Sequence, residues 1–351
     1  MSSKGVNKTH SFKNYPSFTK GNSSMTHPIK KIDKKRIVKL SNGTFKKISL
    51  FSDLNIEIPT KLNLNLVDTN DSSLESATTI GTFFPDQKTT GWCYAASSQK
   101  GNFRHTNEDR FNIISPIQLH SFGIMAGIFD GFGSDECSNL LAKQLLQELN
   151  KKITKIQKLE EITNQELINI YKRINKLMIA SNKTGGSTSL VSIAIPNKIF
   201  IWNIGDSFAL LISKNGAIIL NNFHNAKNPC EKELIINKGG VVFEIGGIAR
   251  VGGELAVTRA IGNFRLNKIV SSNPEFHSHD VNENDLYLVL GSDGISNFLN
   301  ENEIFEFFSS NQDLTELELS EGITKLAYQA GSNDNITAIV INLQKLSSSK
   351  T

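Results

Sequence analysis

The sequence has 351 residues, of which 38% are hydrophobic and 21 are Phe, so the chain can bury a sizeable core and is neither fibrous nor wholly disordered. Its three widely spaced cysteines, Cys93, Cys137 and Cys230, indicate no disulfide framework and no Cys-based zinc site, which predicts an intracellular protein of the cytoplasm or nucleus. No run of about 18 apolar residues predicts a transmembrane segment, and neither a signal peptide nor, with Ser2, a myristoylation site is expected.

The net charge of +4 is unevenly distributed along the chain. Residues 1–50 carry twelve Lys or Arg against the single acid Asp33, a net +11 that leaves −7 for the remaining 301 residues. We therefore expect a basic, largely disordered tail over residues 1–88, a folded domain over residues 89–346 and a short tail over residues 347–351.

The basic cluster at residues 30–39 has the charge to touch membrane lipid, nucleic acid or a targeting receptor. A solvated tail is the favoured interpretation, with contact to an acidic surface as the alternative, and no nucleic-acid partner is expected. Because Arg36 is the only arginine of this tail, its composition weighs against a mitochondrial presequence.

Strand-like and helix-like patterns occur in blocks along the rest of the chain. Strands are predicted at residues 111–115, 122–130, 188–195, 199–204, 208–213, 241–245, 286–290 and 336–341. Helices are predicted at residues 136–150, 159–181 (with a candidate cap at Thr163), 229–238, 301–310 and 319–329. The three closely spaced runs over residues 188–213 predict an antiparallel meander. The fold class is therefore α+β, with antiparallel sheets covered by helices.

Acidic side chains stand beside several of these apolar runs. Asp130 ends one run and is followed by Gly131, Asp293 follows another, and Asp334 stands just before a third; Asp109 is a distant companion. Glycine or asparagine next to these acids leaves room for a ligand to approach the backbone. We predict that the four carboxylates converge on a divalent metal site.

Carboxylates without nearby His or Cys favour a hard cation such as magnesium or manganese. Two such ions about 3.5–4 Å apart can bridge a water, lower its pKa and clamp a phosphoryl group, so hydrolysis of a phosphate ester is the expected chemistry. Arg104, four residues before Glu108, is a candidate for bidentate contact with the phosphate.

Seven short motifs occur in order over residues 90–345. They are Arg104-His-Thr-Asn-Glu-Asp-Arg110, Gly127-Ile-Phe-Asp-Gly131, Gly186-Ser-Thr-Ser-Leu190, Asn203-Ile-Gly-Asp-Ser207, Gly253-Glu-Leu-Ala-Val-Thr-Arg-Ala-Ile-Gly262, Gly291-Ser-Asp-Gly294 and Ser332-Asn-Asp-Asn-Ile-Thr337. In content and order they resemble the motifs of the PPM, or type 2C, family of metal-dependent serine/threonine protein phosphatases.

This resemblance implies a four-layer α-β-β-α sandwich of two antiparallel sheets flanked by helices, with two manganese or magnesium ions at one end. Asp130 would bridge the two ions and act in catalysis, and the Gly131 carbonyl would bind one ion. Asp293 and Asp334 would complete the shell of the other.

The same resemblance assigns residues around the ions. Asp109 would belong to the metal site, with Glu108 and Asp109 holding metal-bound waters. Arg104 would be the catalytic residue that grips the phosphate, and Asn335 would support the neighbouring carboxylate through hydrogen bonds.

Four positions depart from the family pattern. Phe132 stands where family members carry a His that protonates the departing alkoxide, a kind of help worth roughly 10²–10⁴-fold. A weak third metal site would keep Asp206 but has the neutral Asn297 at its second position. Asn263 and Phe208 replace a usual Asp and Arg, respectively.

The sequence thus predicts a monomeric phosphatase that hydrolyses phosphoserine and phosphothreonine in protein substrates by a metal-bridged water, with activity reduced by Phe132. The alternative is a catalytically weak or dead pseudophosphatase that serves as a binding or scaffold module. Of the remaining polar residues, His224 is interpreted as ordering a loop and Arg259 as making ion pairs within the fold.

Overall fold

The computed structural model of the protein describes residues 37–39, 45–47, 88–101, 103–119, 121–153, 164–181, 185–263 and 265–348. The chain divides into two compact units, Met1–Val67 and Asp68–Thr351. In the first unit, strands β1 (Ile37–Lys39) and β2 (Phe45–Lys47) pair antiparallel. Apart from these strands and Lys88, the tail expected over residues 1–88 lies outside the described residues, as do residues 349–351 of the expected C-terminal tail.

Two antiparallel sheets form the centre of the second unit. The five-stranded sheet has the spatial order β16 (Glu275–Asp280), β10 (Lys198–Ile204), β9 (Ser189–Ile195), β6 (Ser121–Phe129) and β5 (Arg110–Leu119). The six-stranded sheet has the order β12 (Gly216–Ile219), β11 (Phe208–Ser213), β17 (Asp285–Gly291), β18 (Ile336–Asn342), β4 (Tyr94–Gln99) and β3 (Lys88–Gly91).

Successive side chains of a strand point to opposite faces, and both faces of each sheet are covered. Along β9, Ile193 joins the core beneath the helices, whereas Ala194 joins the core between the two sheets. Along β10, Trp202 joins the core beneath the helices and Ile201 joins the core between the two sheets. Because both faces are buried, these strands read as nearly continuous apolar runs, and each fully buried large side chain contributes roughly 1.5–3 kcal/mol.

Helices cover the outer face of each sheet. On the five-stranded sheet lie α1 (Glu136–Ile153) and α2 (Asn164–Ala180). On the six-stranded sheet lie α5 (Glu301–Ser310) and α6 (Glu316–Gln329), where the Phe308 ring of α5 packs 5.1 Å from that of Tyr287 in β17. The remaining helices are α3 (Pro229–Asn237), α4 (Asp293–Ser296) and α7 (Leu343–Ser348). The predicted α-β-β-α sandwich is confirmed.

Most predicted helices agree with the structure within a few residues. The helix predicted over residues 159–181 is described from Asn164, and its candidate cap Thr163 lies outside the described residues. Helix α5 has the predicted bounds because Asn300 and Glu303 form a capping box at its start. None of the helices that the structure describes is both long and apolar enough to cross a membrane.

The meander predicted over residues 188–213 is wrong in one respect. Strands β9 and β10 pair as a hairpin, but β11 belongs to the other sheet. The chain changes sheets at the turn Gly205–Asp206, where Gly205 has a φ of +106° that L side chains rarely adopt. This crossing places Asp206 at one end of the sandwich.

Smaller elements complete that end of the domain. Strands β7 (Gly131–Phe132), β8 (Gly186–Ser187) and β15 (Ile261–Gly262) form a short three-stranded sheet, with β8 in the middle. Strands β13 (Val242–Ile245) and β14 (Ile248–Val251) form a separate hairpin. The inner face of this hairpin, with Val242, Ala249 and Val251, packs in a cluster that also includes Phe132.

Candidate metal centre

Carboxylates gather at the end of the sandwich where β5 and β18 begin and where β6 and β17 end. The start of β5 pairs with the end of β6, and the end of β17 pairs with the start of β18. Acids that flank these strand ends are thereby brought together, although they are far apart in the sequence. The group comprises Asp109, Asp130, Asp206, Asp293 and Asp334.

Asp109 is the most deeply buried of these residues, with 3% of its surface exposed. Its Oδ2 accepts hydrogen bonds from Ser292 Oγ at 2.8 Å and from Thr337 Oγ1 at 2.7 Å. Its Oδ1 receives no hydrogen bond from any residue that the structure describes. One oxygen is therefore fixed by hydroxyl groups, while the other remains available as a ligand.

Asp130 follows β6, and its backbone is fixed by Thr188. The Asp130 N–H donates to Thr188 Oγ1 at 3.1 Å, and the Thr188 N–H donates to the Asp130 carbonyl at 2.9 Å. The next residue, Gly131, is so close to the chain before β5 that a Cβ built on it would lie 2.6 Å from the Glu108 carbonyl. Glycine is required here because any side chain would push the two segments apart.

Asp293 and Asp334 lie at the ends of β17 and β18. Asn297 donates from Nδ2 to Asp293 Oδ2 at 3.0 Å, whereas Asp293 Oδ1 finds no donor in the described part of the chain. Asp334 Oδ2 accepts a hydrogen bond from the Arg104 guanidinium at 2.6 Å, in a partly exposed ion pair. Arg104 is therefore held directly beside the carboxylates.

Asn335 joins the Asp334 segment to the segment before β5. Its Oδ1 accepts from the Glu108 N–H at 2.8 Å, and its Nδ2 donates to the Thr106 carbonyl at 3.2 Å. The Asn335 N–H also donates to Asp334 Oδ1 at 2.8 Å. Asn335 thus supports Asp334 and also fixes the position of Glu108.

Negative charge dominates this group of five aspartates, and Arg104 compensates it only in part. Burial, opposed by two hydroxyl donors and reinforced by repulsion from Asp334 and Asp293, raises the pKa of Asp109 to about 7. Burial and repulsion from Asp109 and Asp293 raise the pKa of Asp130 well above its ordinary value. Burial followed by acidic neighbours also raises the pKa of Asp206 and of Asp293. A bound cation would reverse these shifts.

The donor set fits a hydrated hard cation. Oxygen ligands suit magnesium and manganese, and the unpaired Oδ1 atoms of Asp109 and Asp293 are costly to leave unsatisfied. Within the described ranges, no three His, Cys, Asp or Glu side chains are arranged to hold one ion directly. Magnesium usually keeps several waters, so carboxylates can hold such an ion through its waters without all touching it.

The family model described as protein phosphatase 2C matches residues 95–336 of this chain. The chain belongs to the protein phosphatase 2C family. Members of this family depend on manganese or magnesium, in agreement with the oxygen donors described above. The resemblance identified from the seven motifs is thereby confirmed.

Two rice relatives (Oryza sativa subsp. japonica) show the extent of the similarity. The chain is 32% identical over 252 residues to "Probable protein phosphatase 2C member 13, mitochondrial", covering 70% of this chain and 66% of the relative. It is 30% identical over 258 residues to "Probable protein phosphatase 2C 52", covering 71% of this chain and 50% of the relative. The chain therefore spans between half and about two thirds of the length of these two relatives.

Solved structures share the fold. A C. elegans sex determining protein is 25% identical with a TM-score of 0.66, covering 75% of this chain and 68% of that protein. A serine-threonine phosphatase 2C from Toxoplasma gondii is 20% identical with a TM-score of 0.63, covering 74% of this chain and 98% of that protein. At this identity the second likeness shows the fold alone.

The residues predicted from sequence lie together at this end of the sandwich, although their individual roles stay predictions. Three hydroxyl residues that the sequence alone does not indicate, Thr188, Ser292 and Thr337, fix Asp130 and Asp109 by hydrogen bonds. The only available signal was that each lies within a family motif close to a glycine or an acid.

The departures from the family pattern have structural explanations. Phe208 is buried in β11 and its ring packs directly on the Gly291 backbone, which precedes the Ser292–Asp293 turn. Asn263 adopts a positive φ of 51°, and its Oδ1 accepts from the Leu266 N–H at 3.1 Å, a conformation that Asn tolerates well. Asn297 donates to Asp293, so it supports that carboxylate and adds no negative charge.

Removal of metal ions is expected to make the stability of the domain fall as the pH rises. Because the folded-state pKa of Asp109 is raised from 3.8 to about 7, stability present below pH 3.8 is lost as the pH rises through about 7. At about 1.4 kcal/mol per pKa unit, the loss from Asp109 alone is about 4 kcal/mol over the whole interval between these two pKa values. Urea unfolding of chelated protein at about pH 5 and about pH 7.5 should show about 3 kcal/mol of this loss, because about two of the pKa units lie between these pH values.

The matched variant for this experiment is Asp109→Asn, which keeps an oxygen that can accept from Ser292 and Thr337. The pH dependence of its free energy of unfolding should lose the share that Asp109 contributes to the wild type, while the shares of Asp130, Asp206 and Asp293 remain. Manganese added to the wild type at the higher pH should restore stability. A metal-free wild type that becomes more stable between these pH values would contradict the charge repulsion described here.

Proposed function

We propose that this chain is a metal-dependent protein serine/threonine phosphatase whose two ions are held by the cluster of aspartates at the end of the sandwich. Support comes from one observation above all: five mutually repelling aspartates meet at one end of the sandwich, and two of them keep an unpaired oxygen. A domain that retained only its fold would gain stability by replacing these acids, since uncompensated buried charge opposes folding.

In this proposal Asp130 and the Gly131 carbonyl would hold the pair of ions, Asp293 and Asp334 would complete the site, and Asp109 would hold a water of hydration. When bound, manganese or magnesium would supply a water of lowered pKa and a positive field for the phosphate. The protein's contribution is to place the oxygens in advance, through the hydroxyl and amide contacts to Asp109, Asp130 and Asp334.

Arg104 is proposed to orient the substrate phosphate. Its guanidinium makes one hydrogen bond to Asp334, and an arginine has five N–H donors in a planar fork. The side chain is about half exposed, so donors remain for a phosphate that enters from solvent. The substrates proposed are phosphoserine and phosphothreonine in proteins.

Turnover on these substrates is proposed to be slow. The Phe132 side chain cannot protonate the departing alkoxide of serine or threonine, and it packs partly buried against the cluster beneath the hairpin β13–β14. This position also favours the second candidate, a pseudophosphatase that binds metal and phosphoprotein with little or no hydrolysis. The two candidates differ in turnover and not in metal binding.

Hydrolysis of para-nitrophenyl phosphate and of a phosphothreonine peptide by the purified chain tests the proposal. We expect hydrolysis of the aryl ester with manganese or magnesium, loss of the rate with a chelator, and recovery when the metal is returned. Calorimetric binding of manganese without hydrolysis of either substrate would favour the pseudophosphatase. A rate that survives thorough chelation would defeat both candidates.

A further inference from the structure

His224 is fully buried outside the carboxylate group, yet it is joined to the turn that carries Asp206. The Gly205 N–H donates to His224 Nδ1 at 3.2 Å, and the His224 N–H donates to the Gly205 carbonyl at 2.9 Å. The His224 carbonyl also accepts from the Thr258 N–H at 2.9 Å. The side chain and backbone of one residue therefore hold both polar groups of Gly205.

These contacts fix the tautomer of the ring. Because Nδ1 accepts a hydrogen bond, the proton of the neutral ring must be on Nε2, which donates to Glu275 Oε2 at 2.6 Å. Burial, and next the positive charge of Arg259, lower the pKa of His224, whereas the hydrogen bond that the ring donates to Glu275 acts in the opposite direction. The other charged or titratable groups around this pair are Glu231 and His277.

Gly205 is linked to the site in two ways: through Thr188, which it packs against, and through Asp206, which follows it in the chain. A Cβ built on Gly205 would lie 2.5 Å from Thr188 Cγ2, so the turn packs tightly on the residue that binds the Asp130 backbone. The residue after Gly205 is Asp206, whose carboxylate is close enough to Asp293 to be repelled by it. A shift of the turn would therefore move Asp206 and loosen the contact with Thr188.

We propose that His224 is a positioning residue whose neutral ring clamps the Gly205 amide and so sets the place of Asp206 among the carboxylates. The part that concerns metal rests on the proposed function, in which these carboxylates hold divalent ions. The clamp itself is a property of the metal-free protein. The two parts can therefore be tested separately.

Two substitutions separate the ring nitrogens. The Oδ1 of Asn in His224→Asn can accept at the position of Nδ1 but does not reach Glu275. The Nε2 of Gln in His224→Gln can donate to Glu275 but leaves Gly205 without its acceptor. The control is His279→Gln, since His279 lies on β16, as Glu275 does, but pairs with Asp285 of β17 at 3.0 Å.

Hydrogen exchange of the Gly205 amide in the metal-free protein and calorimetric binding of manganese are the two readouts. We expect His224→Gln to lose protection at Gly205 and to weaken manganese binding by about tenfold, the lower range for residues that orient metal ligands. His224→Asn and His279→Gln should stay close to wild type in both. Equal losses in the Asn and Gln variants, or an unaffected Gln variant, would overturn the proposal.

Nitrogen NMR of the wild-type histidine ring provides a test that survives poor folding of the variants. An unprotonated Nδ1 and a protonated Nε2 at neutral pH are expected, and a charged ring or the opposite tautomer would overturn the clamp. A wild type that binds no manganese would defeat the proposed function, while the Gly205 exchange and the tautomer would still decide the clamp. The protein could also bind manganese without any hydrolysis, with binding weakened in His224→Gln and unchanged in His224→Asn. That result would support the clamp and contradict only the proposed phosphatase activity.

Discussion

Asp293→Ala is expected to reduce manganese-dependent hydrolysis of para-nitrophenyl phosphate to background. Asp293 starts α4 within the carboxylate group, and its Oδ1 accepts no hydrogen bond in the described structure. Changes to residues around a metal ligand commonly cost about 10–100-fold in metal affinity or activity, and loss of a ligand itself should exceed this. Initial rates across a manganese titration measure the effect, because weak binding alone would be rescued at high metal concentration.

The same substitution, Asp293→Ala, also has an expected effect on the stability of the metal-free protein. Burial, and next repulsion from Asp334, raise the pKa of Asp293, so metal-free Asp293→Ala should be at least as stable as the metal-free wild type at neutral pH. Asp285→Ala is the matched control, since Asp285 is a buried aspartate at the start of β17, the strand whose other end leads to Asp293.

Asp285 accepts hydrogen bonds from His279 and Asn282, so its loss should lower stability, while the protein that remains folded should keep the wild-type rate. The opposite pattern would contradict the assignment of Asp293 to the metal site. In that outcome Asp293→Ala would destabilise the protein and leave the rate intact.

Local sequence patterns predicted most of the longer helices and many strands, but they missed β3, β4, β12 and β16 and did not predict which strands pair. The runs that became β9, β10 and β11 have similar apolar patterns, and nothing in them shows that β11 crosses to the other sheet. Partner choice depends on contacts distant in the chain, such as the pairing of β11 with β17. Strand β16 was missed because its sequence, from Glu275 to Asp280, is polar, as an edge strand allows.

The acidic residues of the candidate site could be predicted from the sequence, but the hydroxyl residues that donate hydrogen bonds to them could not. Carboxylates next to glycine at strand ends are unusual enough to be noticed, and their order matches a known family. Hydroxyl residues are common, and Ser292 and Thr337 lie 183 and 228 residues from Asp109 in the chain. Only the folded chain shows that both donate to the same carboxylate oxygen.

Phe132→His is expected to increase hydrolysis of a phosphothreonine peptide more than hydrolysis of para-nitrophenyl phosphate. The alkoxide of threonine is a poor leaving group and benefits from a proton donor, whereas the aryl oxide leaves readily. General acid help is worth roughly 10²–10⁴-fold, and a histidine placed by a single substitution should recover only part of this. The ratio of kcat on peptide to kcat on aryl phosphate is the quantity to measure.

Packing sets a limit on this gain. A Cβ built on Gly186 would lie 2.5 Å from Phe132 Cζ, so the ring packs directly on β8, and it also contacts the cluster beneath the hairpin β13–β14. Phe132→Gln removes the same packing without adding a proton donor and is the matched control. We expect Phe132→Gln to leave the ratio unchanged and Phe132→His to raise it, with the gain lost as the pH rises above the pKa of the new imidazole. If both variants change the two rates equally, Phe132 acts by holding the hairpin, and the absence of a proton donor at this position does not limit the reaction.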